Sequence, residues 1–406
     1  MTTSNLSFPK GFLWGTATAG HQVEGNNVNS DWWEWERKNN VEKSGITCDH
    51  YRLYKKDFKL AKEVLNNNSH RFSIEWARVE PKMGEFSDKE INHYKEVLKE
   101  LRRLKMKTFV TMHHFVNPLW FSELGGWEKR ENLKYFRKFV EQIVSELGDL
   151  IDYWVVINEP NSYVATSYFS GQRPPQKKSF LAGAKVFINL ARAHKDAYRI
   201  VHQKYPRALV SSANSMSAFK SYGLLDSVLI WLGKLFFNNL FLLLTNGFND
   251  YIGINYYGLH NIKLSDLLYK KSVKKDMEKM MQGYSNDLAW LMYPEGIYEV
   301  IVDTCKKFKL PIVILENGIP DAKDVTRPRH ILDHLAWLRQ AIKEGFQVLG
   351  YHHWSLMDNF EWDLGKKVRF GLFEVDYKTL RRIPRKSCFV YGEVCKTNAL
   401  PENSQI

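Results

Sequence analysis

Residues 153–160 read YWVVINEP: an apolar run, Trp154 to Ile157, that stops abruptly at Asn158, Glu159 and Pro160. The run suits a strand buried on both faces. Residues 312–318 repeat the pattern, with Ile-Val-Ile-Leu followed by Glu316, Asn317 and Gly318. Working outward from these two gives eight strand-like runs, at 12–19, 70–76, 108–114, 153–159, 208–214, 250–257, 311–317 and 348–355. Between most of them lie amphipathic stretches of helical period, at 51–65, 88–104, 132–147, 181–204, 294–308 and 329–344. Strand and helix in regular alternation predict a parallel sheet with helical crossovers, and eight units predict an α/β chain closed as a (β/α)8 TIM barrel. The rival, a doubly wound open sheet, calls for a Gly-rich phosphate loop after the first strand, and residues 11–25 hold no GxGxxG. No Pro/Gly/Ser-rich linker divides the chain. Residues 1–406 therefore read as a single domain, with a core over 10–395, a surface excursion at 170–179 and a frayed tail over 396–406.

Composition excludes several classes. Of 406 residues, 44% are hydrophobic and 25% charged, which is ordinary for a globular protein and rules out disorder, collagen and a disulfide-rich miniprotein. Cys48, Cys305, Cys388 and Cys395 form no CxxC pair and read as reduced thiols in a cytoplasm. Residues 1–10 are polar, without an apolar stretch of signal-peptide length. The net charge is +13, Lys and Arg occur all along the chain, and no basic run interleaves with aromatics, so no nucleic-acid partner is expected. Residues 224–244 are rich in Leu, Phe and Ile, but Asp226, Lys234, Asn238 and Asn239 interrupt them, so no run is expected to reach the ~18 apolar residues of a spanning helix. The leading expectation is an amphipathic helix against the protein body, and the sharper one is a helix lying on a membrane surface.

A barrel of this kind gathers chemistry where its strands end. Six runs end in polar or aromatic groups. The second carries Arg71 and ends at Glu75 and Trp76, and the third ends in His113 and His114. The sixth ends in Asn255, Tyr256 and Tyr257, and the eighth in Trp354, followed by Asp358, Asn359, Phe360, Glu361 and Trp362. Glu159 and Glu316 are the key pair. A buried carboxylate is costly unless paired or used, and strands four and seven lie roughly opposite each other in an eight-stranded barrel. Two facing carboxyl groups ringed by aromatic faces and hydrogen-bonding side chains suit a sugar. The His113-His114 and His352-His353 pairs lack HExxH or Cys/His ligand spacing, so neither a metal nor a cofactor is expected. Trp32, Trp33 and Trp35 are expected to pack beneath the first loop.

The chain is similar to glycoside hydrolase family 1, the β-glucosidase and β-galactosidase family of retaining enzymes. The resemblance runs through FLWGTATAGHQVEG (12–25), RFSIEWAR (71–78), WVVINEP (154–160), IGINYY (252–257), ILENG (314–318), YHHWSLMDNFEW (351–362), RFGLFEVDY (369–377) and PRKS (384–387). It implies a retaining exo-β-glycosidase for small unphosphorylated β-glycosides (glucosides, galactosides, fucosides) or oligosaccharides, able to transfer as well as hydrolyse. By this resemblance Glu159 is the general acid/base and Glu316 the nucleophile. Asn158 bonds the sugar 2-OH, and Arg71 and Tyr257 hold the nucleophile with Asn255 nearby. Gln22, His114, Glu361 and Trp362 bind the hydroxyls of the nonreducing sugar, Trp354 forms the stacking floor, and Phe370 flanks the 6-position. A non-proline cis peptide after Trp354 is also implied.

Glu361-Trp362 stands where the phospho-glycosidase branch carries smaller and basic groups, and Glu159 stands where myrosinases carry Gln. The chain also departs from the family. It is shorter than most members, so loops rimming the pocket are expected to be trimmed. Residues 113–118 read HHFVNP where many relatives have His-Trp-Asp-Leu-Pro, so Phe115 replaces a Trp beside the sugar. Residues 224–244 are more hydrophobic than usual, which with the basic charge raises an alternative: a membrane-peripheral enzyme for alkyl or lipid-like glycosides. A second alternative is a glycan-binding pseudoenzyme, against which both intact Glu speak. The oligomeric state stays open.

Overall fold

A computed structural model describes residues 6–220, 226–261, 286–288, 290 and 292–402. Eight parallel strands close a barrel in sequence order. They are β1 (Leu13–Ala17), β2 (Ser69–Ser73), β3 (Lys107–His113), β4 (Tyr153–Asn158), β5 (Leu209–Lys220), β6 (Ile252–Asn261), β7 (Ile312–Asn317) and β8 (Val348–Trp354). Closure is made where Leu13 to Ala17 of β1 register with Gly350 to Trp354 of β8. The expected helices form within two residues of their predicted ends. Ser87 and Ser179 fix two starts: the Ser87 hydroxyl accepts from the Glu90 N–H, and the Ser179 hydroxyl from the Ala182 N–H.

The floor of the barrel is a dry layer of Leu13, Phe109, Val155, Ala213, Tyr251, Val313 and Leu315. Phe109 stacks on Tyr153 with ring centroids 4.1 Å apart. The strands deliver these residues alternately inward, so the next inward layer, carrying Arg71, faces the mouth. A second, larger core fills the space between strands and helices.

Four expectations change. Strands β5 and β6 run past the predicted ends and stay paired to Lys220 and Asn261, with a register shift after Met216. They form a raised rim on one side of the mouth. The loop at 170–179 reaches the mouth: Arg173 Nε donates to Asp363 Oδ1 (2.6 Å). The tail is anchored as far as Leu400. The helix Lys386–Thr397 ends at Asn398 in the left-handed region (φ +53°). Trp14 Nε1 donates to Asn398 Oδ1 (2.9 Å), Asn398 Nδ2 donates to the Phe8 carbonyl (2.8 Å), and Leu400 is buried. Residues 403–406 of the predicted tail lie outside the described residues. Finally, Ser227–Leu244 is long and apolar enough to cross a membrane by length and composition, despite its interruptions. It lies against the barrel, with Phe241 and Leu242 buried.

Asp358 clamps the segment after β8. Its carboxylate is fully buried and accepts from Arg385 Nη1 and Nη2 and from Arg369 Nη1, each at 2.8 Å, and from the Gly371 N–H at 3.0 Å. Removing one partner of a buried pair leaves uncompensated charge. Asp358→Ala is expected to lose about 3–5 kcal/mol of stability in equilibrium unfolding. A loss near zero would mean that the two guanidiniums find solvent or another acceptor.

Candidate active site

The site is built around one buried cation. Arg71, on β2, is wholly buried beneath the mouth. Nε donates to Thr111 Oγ1 (3.1 Å), Nη1 to Glu316 Oε1 (2.5 Å), and Nη2 to Asn158 Oδ1 (2.6 Å). It thereby ties β2 to β3, β4 and β7. The second oxygen of Glu316 accepts from the Tyr257 hydroxyl (2.6 Å). Asn255 Nδ2 donates to both Asn158 Oδ1 (3.1 Å) and Glu159 Oε1 (2.8 Å). With Asn158 Oδ1 taken by two donors, its amide nitrogen faces His114 Nε2 (3.1 Å), which fixes the orientation of the amide. Arg71, Asn158, Glu159, Asn255, Tyr257 and Glu316 thus form one connected network.

Glu159 follows the last residue of β4 with φ +43°, a left-handed conformation that costs a non-glycine residue about 1–2 kcal/mol. Its N–H is fixed by the Ala213 carbonyl (2.8 Å), and Pro160 starts the next helix. Burial first, and then the negative charge of Glu316, push the Glu159 carboxyl up to about 7. Glu361 is pushed up to about 8, mainly by burial, with Arg173 acting in the opposite direction.

A cavity of about 550 Å³ opens above this network. Glu159, Glu316, Asn158, Tyr257, His114, Glu361, Trp354, Trp362 and Phe370 all line it. His114 lies between two indoles, 6.0 Å from Trp354 and 5.9 Å from Trp362, with near-parallel rings. Phe115 packs on Trp362 at 5.2 Å. Gln22 is buried behind the wall, where its Nε2 donates to Glu361 Oε2 (3.2 Å) and to the Phe360 carbonyl (2.9 Å). The peptide Trp354–Ser355 is cis. Trp32 is buried beneath the site, 4.7 Å from Trp362, and Trp35 is buried beside it.

Other strand-end residues turn elsewhere. His113 bonds Asn117 and packs on Trp127. The Tyr256 hydroxyl donates to the Tyr293 carbonyl. Glu75 accepts from Asn27 and Ser73 among the loops. Sequence reasoning missed Thr111, Arg173, Phe237 and Trp290. The last three line the cavity, and no motif marked them. Among the described residues, no cluster of His, Cys, Asp and Glu is suited to a metal.

The arrangement can place a proton donor and an anionic carboxylate on either side of a bound anomeric carbon. The sequence profile described as glycosyl hydrolase family 1 matches residues 4–223 and 235–400. A β-galactosidase of Pyrococcus woesei is 29% identical, over 97% of this chain and 98% of its own length. The structure of a β-glycosidase from Pyrococcus horikoshii superposes with a TM-score of 0.89 at 33% identity, covering 98% of this chain and 97% of that one. That of a Thermotoga maritima β-glucosidase in complex with deoxynojirimycin gives 0.88 at 25% identity, covering 98% and 100%.

Proposed function

The chain belongs to glycosyl hydrolase family 1 and is an O-glycosyl hydrolase, and from that premise we propose that it is a retaining exo-β-glycosidase for unphosphorylated β-glucosides, β-galactosides and β-fucosides. One observation carries the reading. Glu316 accepts from Arg71 and Tyr257, while Glu159 has its carboxyl pushed up to about 7 by burial and by Glu316. This difference supports Glu316 as nucleophile and Glu159 as proton donor.

In this mechanism Glu316 attacks the anomeric carbon as Glu159 protonates the leaving oxygen. The bond to the aglycone breaks and a glycosyl ester of Glu316 forms. Esterification removes the charge that raised the Glu159 carboxyl, so Glu159 then acts as base on water, or on a sugar hydroxyl when transfer competes. Asn158 meets the sugar 2-OH, Gln22, His114, Glu361 and Trp362 meet the other hydroxyls, Trp354 forms the stacking floor, and Phe370 flanks the 6-position. The Glu361 carboxyl and Trp362 favour a sugar without a 6-phosphate. Four unpaired thiols support work in the cytoplasm.

Proton NMR of the first sugar released from p-nitrophenyl β-glucoside tests the proposal. The β-anomer is expected to appear before mutarotation equilibrates it. The α-anomer appearing first would mean inversion and would remove the covalent role of Glu316.

A further inference from the structure

The helical segment Ser227–Leu244 turns much of its apolar surface outward. Phe241 and Leu242 are buried, and one amide, that of Asn238, turns to the barrel. Asn238 Oδ1 accepts from the Ser217 N–H (3.1 Å) and Nδ2 donates to the Ser217 carbonyl (2.9 Å). Asn239 Nδ2 donates back to the Lys234 carbonyl (2.8 Å). Its rings and branched chains turn outward: Val228 and Trp231 are 61% exposed, Phe236 57% and Leu243 42%. Only 11% of the segment is buried. On the neighbouring helix Phe180–Lys204, Phe180 and Leu181 are exposed as well, with Phe169 stacked on Phe180. The two helices touch where Phe187 meets Phe241. An apolar face of this extent marks a binding surface.

We propose that this face docks on an anionic lipid surface, from which the enzyme takes β-glycosides whose aglycone is an alkyl or acyl chain. The inference rests on the β-glycosidase reading above for its substrate, though not for the docking itself.

Charge selects the occupant. Residues 161–249 hold eleven Lys and Arg against two acids, Asp196 and Asp226, so this stretch supplies +9 of the net +13. Arg130, Lys134, Arg137, Arg192, Lys195 and Arg199 line a groove along the helix Phe180–Lys204 and outnumber its two acids, Glu131 and Asp196, the latter paired with Arg137 and Arg199. Lys195 and Arg199 also lie over the ring of Phe248, just beyond the apolar segment. An outward apolar face with an interfacial Trp, bordered by cations, is the pattern of a helix lying in an anionic membrane surface. A second copy of the chain would bring the same positive charge against itself.

Position selects the substrate. Phe237 of the segment lines the catalytic cavity, together with Met216 and Leu259 of the raised rim. Asn161, two residues beyond Glu159, donates to the Phe237 carbonyl (3.0 Å). An apolar wall thus leads from the exposed face to the proton donor. Residues 224–234, at the start of this segment, fall between the two ranges matched by the family profile.

The test is co-sedimentation with vesicles of phosphatidylcholine, with and without phosphatidylglycerol, in low and raised salt. Wild type is compared with the Trp231→Glu/Phe236→Glu pair and with the milder Trp231→Ser. kcat/KM on p-nitrophenyl β-glucoside is the check on fold. Wild type is expected to bind the anionic vesicles at least about tenfold more tightly than the zwitterionic ones, and less tightly as salt rises. The double variant is expected to lose about tenfold or more of that binding, and Trp231→Ser a part of it, with p-nitrophenyl turnover unchanged. On dodecyl β-glucoside held in anionic vesicles, wild type should exceed the double variant by a similar factor. No binding to anionic vesicles by a folded wild type overturns the proposal. So does concentration-dependent dimerisation abolished by the same substitutions without vesicle binding, which would identify a second copy as the occupant. Vesicle binding without turnover of either glycoside would leave the docking standing and reject the glycosidase reading.

Discussion

Glu316→Ala is expected to lose on the order of 10^5-fold or more in kcat on p-nitrophenyl β-glucoside, the scale on which removal of a covalent nucleophile acts in other hydrolases. The reason is geometric as well as chemical. In the proposed mechanism Glu316 supplies the attacking oxygen, and among the described residues it is the one carboxylate bonded to Arg71. Deleting it leaves a buried guanidinium short of its counter-charge, so about 3–5 kcal/mol of stability should go with the activity. The two losses are separable. Glu316→Gln keeps an acceptor for Arg71 and recovers much of the stability without the nucleophile. Azide added to the Ala variant enters from the vacated face, so its product should be the α-glycosyl azide. A β-azide from this variant, or residual turnover within tenfold of wild type, would assign the nucleophile elsewhere.

Glu159→Gln is expected to lose roughly 10²–10⁴-fold on alkyl glycosides, whose leaving group needs a proton. On a dinitrophenyl glycoside the first step should survive and the second should become rate-limiting, visible as a burst of phenol. Azide should then accelerate Glu159→Ala and yield the β-glycosyl azide, because it attacks the ester from the acid/base side. The pH dependence follows with a definite sign. Burial and the charge of Glu316 raise the Glu159 carboxyl to about 7, and the protonated form is the competent one. kcat/KM on a poor leaving group should therefore hold below pH 7 and fall as pH rises through it. That alkaline limb should vanish in Glu159→Gln. A limb unmoved by the substitution would belong to another group, with Glu361, raised to about 8, the next to examine.

The strands were legible because short strand-like runs alternate with amphipathic helices, and the two Glu stood out because each closes an apolar run. The rule that strand ends face the mouth selects too many residues. His113 and His114 are neighbours, and the twofold period of a strand sends one outward to Trp127 and the other inward between two indoles. Tyr256 and Tyr257 divide in the same way. The part played by Arg71 needed the family resemblance, because only barrel closure brings β2 within reach of Glu316. Arg173 was hidden, because its place depends on Asp363, 190 residues away. The anchoring of residues 396–400 was hidden as well. A polar Lys-Thr-Asn sequence looks frayed until Asn398 adopts φ +53° and turns the chain back onto Trp14.

That turn leaves residues 6 and 400 as neighbours. The Leu400 N–H donates to the Leu6 carbonyl (3.0 Å), the Phe8 N–H to the Asn398 carbonyl (2.9 Å), and Ser7 pairs with Ala399. Residues 6–400 therefore almost form a loop in their own right, wrapped once around a closed cylinder. Linear order is incidental to such an object. A chain spliced between 6 and 400 and opened instead at one of the connections on the opposite end from the cavity would thread the same cylinder and meet the sugar with the same groups. What the active site inherits from its sequence is a cyclic order of strands, with no privileged first one.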